Sequence, residues 1–213
     1  MGTYNKGILG AFSGKVGPVV GASWRGKDVI RSLPRKGNRV PTPTQLLQRE
    51  KFTMVTEFLT PLNNVVGRYF GNNNGDKTRR NQAMSYLMRE AITYVAPNMV
   101  WDYSKVLISR GDLLGLNAAT ATAGAGQSVD IAWTDNSGQG DAEATDKLVV
   151  VLYEPTSKTT VYALDAAPRD QGAANILVEA FLTGLTVHVW ATFASTDDKL
   201  YATSQYLGTV VIA

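Results

Sequence analysis

The chain has 213 residues, 44% of them apolar and 18% charged, and it contains no cysteine. That composition suits one large globular domain, or one domain with a substantial extension, and excludes wholesale disorder. The missing cysteine excludes disulfides, thiolate metal sites and cysteine nucleophiles. The net charge of +3 conceals a division, because residues 1–90 carry 15 Lys and Arg against 5 Asp and Glu, and residues 91–213 carry 6 against 13. A balance of +10 against −7 points to a polyanion partner for the first part, or to head-to-tail contact between copies.

Residues 6–36 are glycine-laced and basic, and they hold one tryptophan, Trp24. After Lys6 the apolar content is broken by Gly14, Lys15, Gly17 and Pro18, so no secretory signal is legible and cytoplasmic synthesis is expected. Residues 7–24 hold a single charge, but their glycines and Pro18 disfavour a membrane helix, and no membrane insertion is expected. Gly7, Gly10, Gly14, Gly17 and Gly21 recur every three or four residues; in an extended chain they allow close backbone approach or positive φ. Residues 16–24 and 28–33 read as two strands around a tight turn at Arg25-Gly26-Lys27. A lone hairpin of this size is marginal in water, so it needs a partner surface.

Residues 35–43 read as a linker. Thr42 suits an N-cap, Pro43 the first helical position and Gln45 the capping-box position. Leu47, Met54, Val55, Phe58, Leu62, Val65 and Val66 follow at helical spacing, which predicts a helix over 43–70 that Pro61 kinks or divides after residue 59. Residues 71–76 form a polar turn, and residues 78–95 read as a second helix with Ala83, Met84, Leu87, Ala91, Ile92 and Val95 inward. Together they predict an antiparallel helical hairpin.

From Val100 the period becomes two. Strands are predicted over 100–108, 128–134, 146–154, 159–165, 175–181, 185–194 and 203–212, separated by polar or Gly-rich turns such as 120–127, 135–141 and 195–199. In 185–194, Val187, Val189 and Ala191 alternate with His188, Trp190 and Thr192, the pattern of a strand packed on one face. About seven short strands in about a hundred residues predict an antiparallel β-sandwich.

Two resemblances follow from these residues. The runs V-D-I-A-W-T ending in Trp133, L-V-V-V-L-Y ending in Tyr153 and T-G-L-T-V-H-V-W-A-T from Thr183 resemble a fibronectin type III or related immunoglobulin-like domain over residues 125–213. That resemblance implies that Trp133 and Tyr153 help fill the sandwich core; the tyrosine-corner residue of the family is missing near Leu185. The segment F-S-G-K-V-G-P-V-V-G-A-S-W-R-G-K-D-V-I-R-S-L-P-R-K, with I-S-R-G-D-L at 108–113, is similar to an uncharacterised family from Bacteroidota. It implies kinship over the whole chain and no activity.

The chemistry is sparse. His188 is the single histidine, in mid-strand among apolar neighbours, so a catalytic triad has nothing else to rest on. No P-loop, dinucleotide fingerprint or HExxH is present, and the glycines of 7–26 do not form a phosphate cradle. The loop 135–141 supplies hard oxygens that suit calcium, but it lacks EF-hand spacing and a terminal Glu. Arg110-Gly111-Asp112 reads as a turn rather than a receptor ligand. No catalytic, metal or cofactor site is expected, and no small-molecule substrate.

The strongest candidate is the basic set Lys15, Arg25, Lys27, Arg31, Arg35, Lys36 and Arg39 beside Trp24, with Arg79 and Arg80 further on. Such a set can track a phosphate backbone, or dock on the acidic β-domain of a neighbouring copy. The expected fold is α+β: a Gly-rich basic arm or hairpin (1–41), a two-helix hairpin (42–97) and an immunoglobulin-like sandwich (98–213). The expected function is non-enzymatic: a subunit of a homo-oligomeric, phage-like or filamentous particle or virion, its arm docking on a neighbour. The alternative is nucleic-acid binding through the basic third.

Overall fold

The computed structural model describes residues 3–4, 10–24, 26–34, 37, 40–72 and 77–213. The chain divides into two compact units, residues 1–42 and residues 43–213. Its class is α+β, with strand predominating over helix.

The first unit is an antiparallel meander of β1 (Thr3–Tyr4), β2 (Phe12–Val16), β3 (Val19–Trp24) and β4 (Lys27–Ser32), in that spatial order. The single strand expected over 16–24 is two. Gly17 has φ +57° and Pro18 lacks an N–H, so the chain turns there and the ladder closes on the pair Val16–Val19. The turn before β4 uses Gly26 at φ +76°. Gly21 is needed for another reason: a Cβ there would strike the ring and carbonyl of Phe12.

The second unit opens with α1 (Pro43–Leu59) and α2 (Asn63–Tyr69), and Pro61 lies in the break between them. Thr78 caps α3 (Arg79–Glu90), its hydroxyl accepting from Asn81 N at 3.2 Å. The helix expected to reach residue 95 stops here. Ile92–Val95 forms β5, which pairs with β6 (Asn98–Trp101), Ile92 opposite Trp101. The run I-T-Y-V is β-branched and aromatic, and its preference for a pleated surface wins over the helical continuation.

The strand expected over 100–108 also ends early, at Trp101. A 3-10 turn at Tyr103–Lys105 follows, and then residues 106–116 run as a belt between layers. Arg110 N donates to Tyr69 O at 2.9 Å, Gly71 N to Arg110 O at 2.8 Å, and Leu113 N to Tyr201 O at 3.1 Å. Ser204 Oγ accepts from Ile108 N at 3.0 Å. A Cβ on Gly111 would overlap Tyr201, so the Arg110-Gly111-Asp112 stretch is a structural tie.

Two sheets complete the unit. One has the order β10 (Thr159–Ala163), β9 (Lys147–Glu154), β12 (Thr186–Ala194), β13 (Gln205–Val211), and the other β11 (Ala173–Leu177), β8 (Ser128–Thr134), β7 (Asn117–Gly124). Strand β7 falls in the stretch expected to be a turn at 120–127. Its alanines have little intrinsic strand preference although its threonines favour a strand, and pairing with β8 sets Ala121 opposite Ile131 and turns Ala119 and Ala121 toward the core.

One core lies between the sheets, where Val129, Ile131 and Trp133 meet Leu148, Val150, Leu152, Val189 and Phe193. A second core lies between the four-stranded sheet and the helices. There Phe58 of α1 meets Tyr153 at 5.0 Å and Trp190 at 6.1 Å between ring centroids. Strand β12 is therefore covered on both faces, where sequence alternation predicts one. Tyr153, expected in the sandwich core, points instead to the helices, while Trp133 does lie between the sheets. The helical hairpin and the sandwich consequently share a core across residue 97.

Candidate interaction surface

In an antiparallel ladder, directly paired residues share a face, and residues two apart along a strand share it too. The register pairs Lys15 with Val20, Val20 with Arg31, Ala22 with Val29, and Trp24 with Lys27. Val20, Ala22 and Trp24 alternate along β3. Lys15, Trp24, Lys27 and Arg31 thus stand on one face of the first unit, with Val20, Ala22 and Val29 between them. The opposite face holds Phe12, Val16, Val19, Gly21, Asp28 and Ile30 by the same rule. Three predicted cations from two strands, Lys15 on β2 and Lys27 and Arg31 on β4, are brought together with Trp24 of β3 by pairing.

This face is open. Trp24 is 51% exposed, and a hollow of about 400 Å³ is lined by Ala22, Ser23, Trp24, Val29 and Arg31. Every residue of β4 is exposed, and Ile30 is 66% exposed. Among the residues of the first unit whose burial is described, Gly21 is the only buried one. Those residues form no buried side-chain core, although sheets of this size derive their stability from burying a face. An indole and a valine framed by Lys and Arg can pack on an apolar surface while pairing with carboxylates at its rim. Residues 1–42 carry eight Lys and Arg against one Asp, and residues 43–213 carry 13 against 17.

The remaining predicted residues divide into two groups. Arg25, Arg35, Lys36 and Arg39 lie outside the described residues. Arg79 and Arg80 belong to the second unit, where they serve packing. Arg79 donates to the carbonyl of Arg68 and lies 5.3 Å over the Tyr201 ring, and Arg80 donates to Asn63 Oδ1 at 3.0 Å. Sequence reasoning missed Val20, Ala22 and Val29 as parts of the face. The Gly17-Pro18 dipeptide was the signal that could have set the register, since it marks a turn and thereby pairs Lys15 with Val20.

The family of unknown function DUF6266 matches residues 11–208, from one residue before β2 to within β13. The chain belongs to that family. No curated protein matches it. The DUF6266 match takes in the basic sheet as well as the helices and both larger sheets, so the sheet is part of what defines the family's span.

Elsewhere in this DUF6266 chain His188 and Asp135 make local contacts. His188 Nδ1 lies 2.7 Å from the Tyr206 hydroxyl, and its ring stacks on Tyr103 at 3.8 Å. Burial holds the His188 pKa below its ordinary value and pushes the Tyr103 hydroxyl up to about 12. In the loop at 135–141, Asp135 accepts from Ser137 N at 2.9 Å and from Ser137 Oγ at 3.1 Å, which makes an Asx-type turn. Among the described residues no three His, Asp or Glu side chains are placed to hold a metal ion. No helix among them is long and apolar enough to cross a membrane.

Proposed function

We propose that this chain is a non-enzymatic assembly subunit whose basic N-terminal sheet docks on a neighbouring copy. The observation that carries the reading is the one-sided face of Lys15, Trp24, Lys27 and Arg31 on a sheet whose described side chains are none of them buried. A sheet of that kind gains stability by joining a partner, and the net negative charge of residues 43–213 makes a second copy the electrostatically matched partner. A contact between different surfaces of like subunits is heterologous and propagates as a ring or filament. We place such a subunit in a phage-like or filamentous particle, by analogy with other sandwich-bearing subunits that carry glycine-rich arms.

The body on which it docks is read as an immunoglobulin-like sandwich related to fibronectin type III. Strands β7, β8 and β11 lie in one sheet and β9, β10, β12 and β13 in the other. The chain therefore crosses between sheets at β8–β9, β10–β11 and β11–β12, a connectivity that supports this reading. Trp133 on the second strand, buried between the sheets, supports it further.

Mass photometry of the full chain and of residues 43–213 tests the proposal. Full-length protein is expected to form multimers at micromolar concentration, and the shortened chain, which keeps both cores, to be monomeric. A full-length monomer refutes assembly. The clustering of three cations beside an exposed indole also favours the second reading, nucleic-acid binding. A mobility shift with random DNA that weakens steeply with salt and is lost with residues 1–42 would select it.

A further inference from the structure

If the N-terminal sheet docks on another copy, the place where it lands can be sought among the open strand edges of the second unit. Strand β10 ends the four-stranded sheet, and its Tyr162 hydroxyl accepts from Asn64 of α2 at 3.0 Å, so the helices flank it. The β13 and β7 edges lie side by side, with Gln205 Nε2 donating to Leu116 O at 3.0 Å. Strand β11 ends the three-stranded sheet and, among the described strands, pairs with β8 alone. Its sequence, A-A-N-I-L, has none of the devices that guard sheet edges: no lysine, no proline and no bulge. Leu177 at its end is 73% exposed, while the inward residues Ala174 and Ile176 are buried.

The charge around β11 is one-sided. Between Lys158 and Lys199 the sole Lys or Arg is Arg169, and its side chain is fully buried. Between Arg110 and Lys147 there is none. Asp130, Asp170 and Glu179, in or beside the three-stranded sheet, are exposed, and among the described residues none of them is in an ion pair. Strand β4 is the mirror case: six exposed residues at the end of its own sheet, with Lys27 and Arg31 on one face around Val29.

We infer that β4 of one copy adds to the open β11 edge of the next copy, extending the three-stranded sheet by strand addition. Centring Val29 on Asn175 sets one of Lys27 and Arg31 opposite Leu177, two positions from Glu179. It sets the other opposite Ala173, three positions from Asp170. This holds whether the strands run parallel or antiparallel. Ile30, on the other face of β4, then lies opposite Ala174 in an antiparallel pairing or Ile176 in a parallel one, and Asp28 lies opposite the other. Main-chain hydrogen bonds supply affinity in this mode, and alternate side chains supply choice of partner.

The chain has no cysteine, so a single introduced pair reports the contact. Paired residues in adjacent antiparallel strands have Cα atoms about 4.5–5.5 Å apart, within disulfide reach. Full-length Val29→Cys and Asn175→Cys variants are mixed and oxidised, and the products are read on a non-reducing gel and by peptide mass spectrometry. The expected result is a dimer linked between residues 29 and 175. It should be absent when Thr120→Cys on β7 replaces Asn175→Cys, and lost when Lys27→Glu and Arg31→Glu are added. Leu177→Cys with Lys27→Cys or Arg31→Cys serves as a second pair that leaves the Asn175 hydrogen bonds in place. Multimers by mass photometry without either link overturn the β11 assignment and leave assembly standing. A monomeric full chain overturns both. A disulfide that forms only within one chain, in a Val29→Cys and Asn175→Cys double variant, overturns the assignment as well.

Discussion

The guanidinium of Arg169 meets the carboxylate of Asp146 at 3.0 Å with both side chains excluded from solvent. Arg169 also donates to Asn136 Oδ1 at 2.6 Å and to Leu114 O at 2.9 Å, and lies 3.9 Å over the ring of Phe193. Its own carbonyl accepts from Trp133 Nε1 at 2.7 Å. One residue thereby ties the belt at 106–116, the loop after β8 and both sheets together. Desolvation holds its pKa below the usual arginine value, with Asp146 opposing that shift.

Truncating Arg169 strands a buried carboxylate. Arg169→Ala is expected to destabilise residues 43–213 by about 3–5 kcal/mol, the range for breaking a buried pair from one side. Urea unfolding with equal m-values is the measurement. Replacing both partners, with Arg169→Met and Asp146→Leu, should cost less than Arg169→Ala alone, since no unpaired charge remains buried.

Phe58 belongs to the helices, but its ring partners lie on the four-stranded sheet and β6: Trp101 at 5.1 Å, Tyr153 at 5.0 Å and Trp190 at 6.1 Å. Phe58→Ala should therefore cost about 3–5 kcal/mol. It should shift one cooperative transition, followed both by far-UV ellipticity and by tryptophan fluorescence. Two separated transitions would show that helices and sandwich unfold independently.

The His188 ring is packed between Tyr103 and Tyr206 and is more easily kept neutral when folded than when unfolded. A folded pKa below the unfolded value of about 6.5 means that the unfolded chain takes up the proton first. Stability from this group is complete above about pH 7, declines as the pH falls through 6.5, and levels off below the folded pKa. His188→Phe should flatten that decline in denaturation midpoints measured between pH 7.5 and 5.

Glu154 acts in a lower window. Burial alone would raise its carboxyl, but Ser157 through its hydroxyl (2.6 Å) and N–H (2.5 Å), with Thr156 N at 2.8 Å, outweighs burial and brings it to about 2. Its contribution is present above the ordinary carboxylate range and lost as pH falls from about 4.3 through 2. Glu154→Gln should weaken the protein at pH 6 and make no difference near pH 1.5, as read by chemical denaturation.

Gly21 offers a probe of the first unit alone. A methyl group there meets Phe12, so Gly21→Ala is expected to open the meander without touching either core of residues 43–213. Trypsin should then cleave after Lys15, Lys27 and Arg31 faster than in the parent chain. The main thermal transition should be unchanged.

Several features are legible in the chain alone because they depend on near neighbours. The alternation in S-V-D-I-A-W-T defines β8 from Ser128 to Thr134, and Pro61 divides the helical stretch because proline cannot donate. The basic first part and acidic second part are facts of composition. What local pattern cannot encode is which residues lie opposite one another. Ile92–Val95 fits the inward stripe of a helix and becomes β5 because Asn98–Trp101 is there to pair with it. N-A-A-T-A-T-A-G has the composition of a loop and becomes β7 because β8 offers an unpaired edge. His188 and Trp190 alternate like a solvent face, and tertiary packing covers them, Tyr103 stacking on His188 and Phe58 of α1 meeting Trp190. The same holds for the interaction surface: Lys15, Trp24, Lys27 and Arg31 are plain in the sequence as charges and an indole. Their common face is set by the turn at Gly17-Pro18 and the register of β2, β3 and β4, because backbone hydrogen bonds between strands decide which side chains stand together.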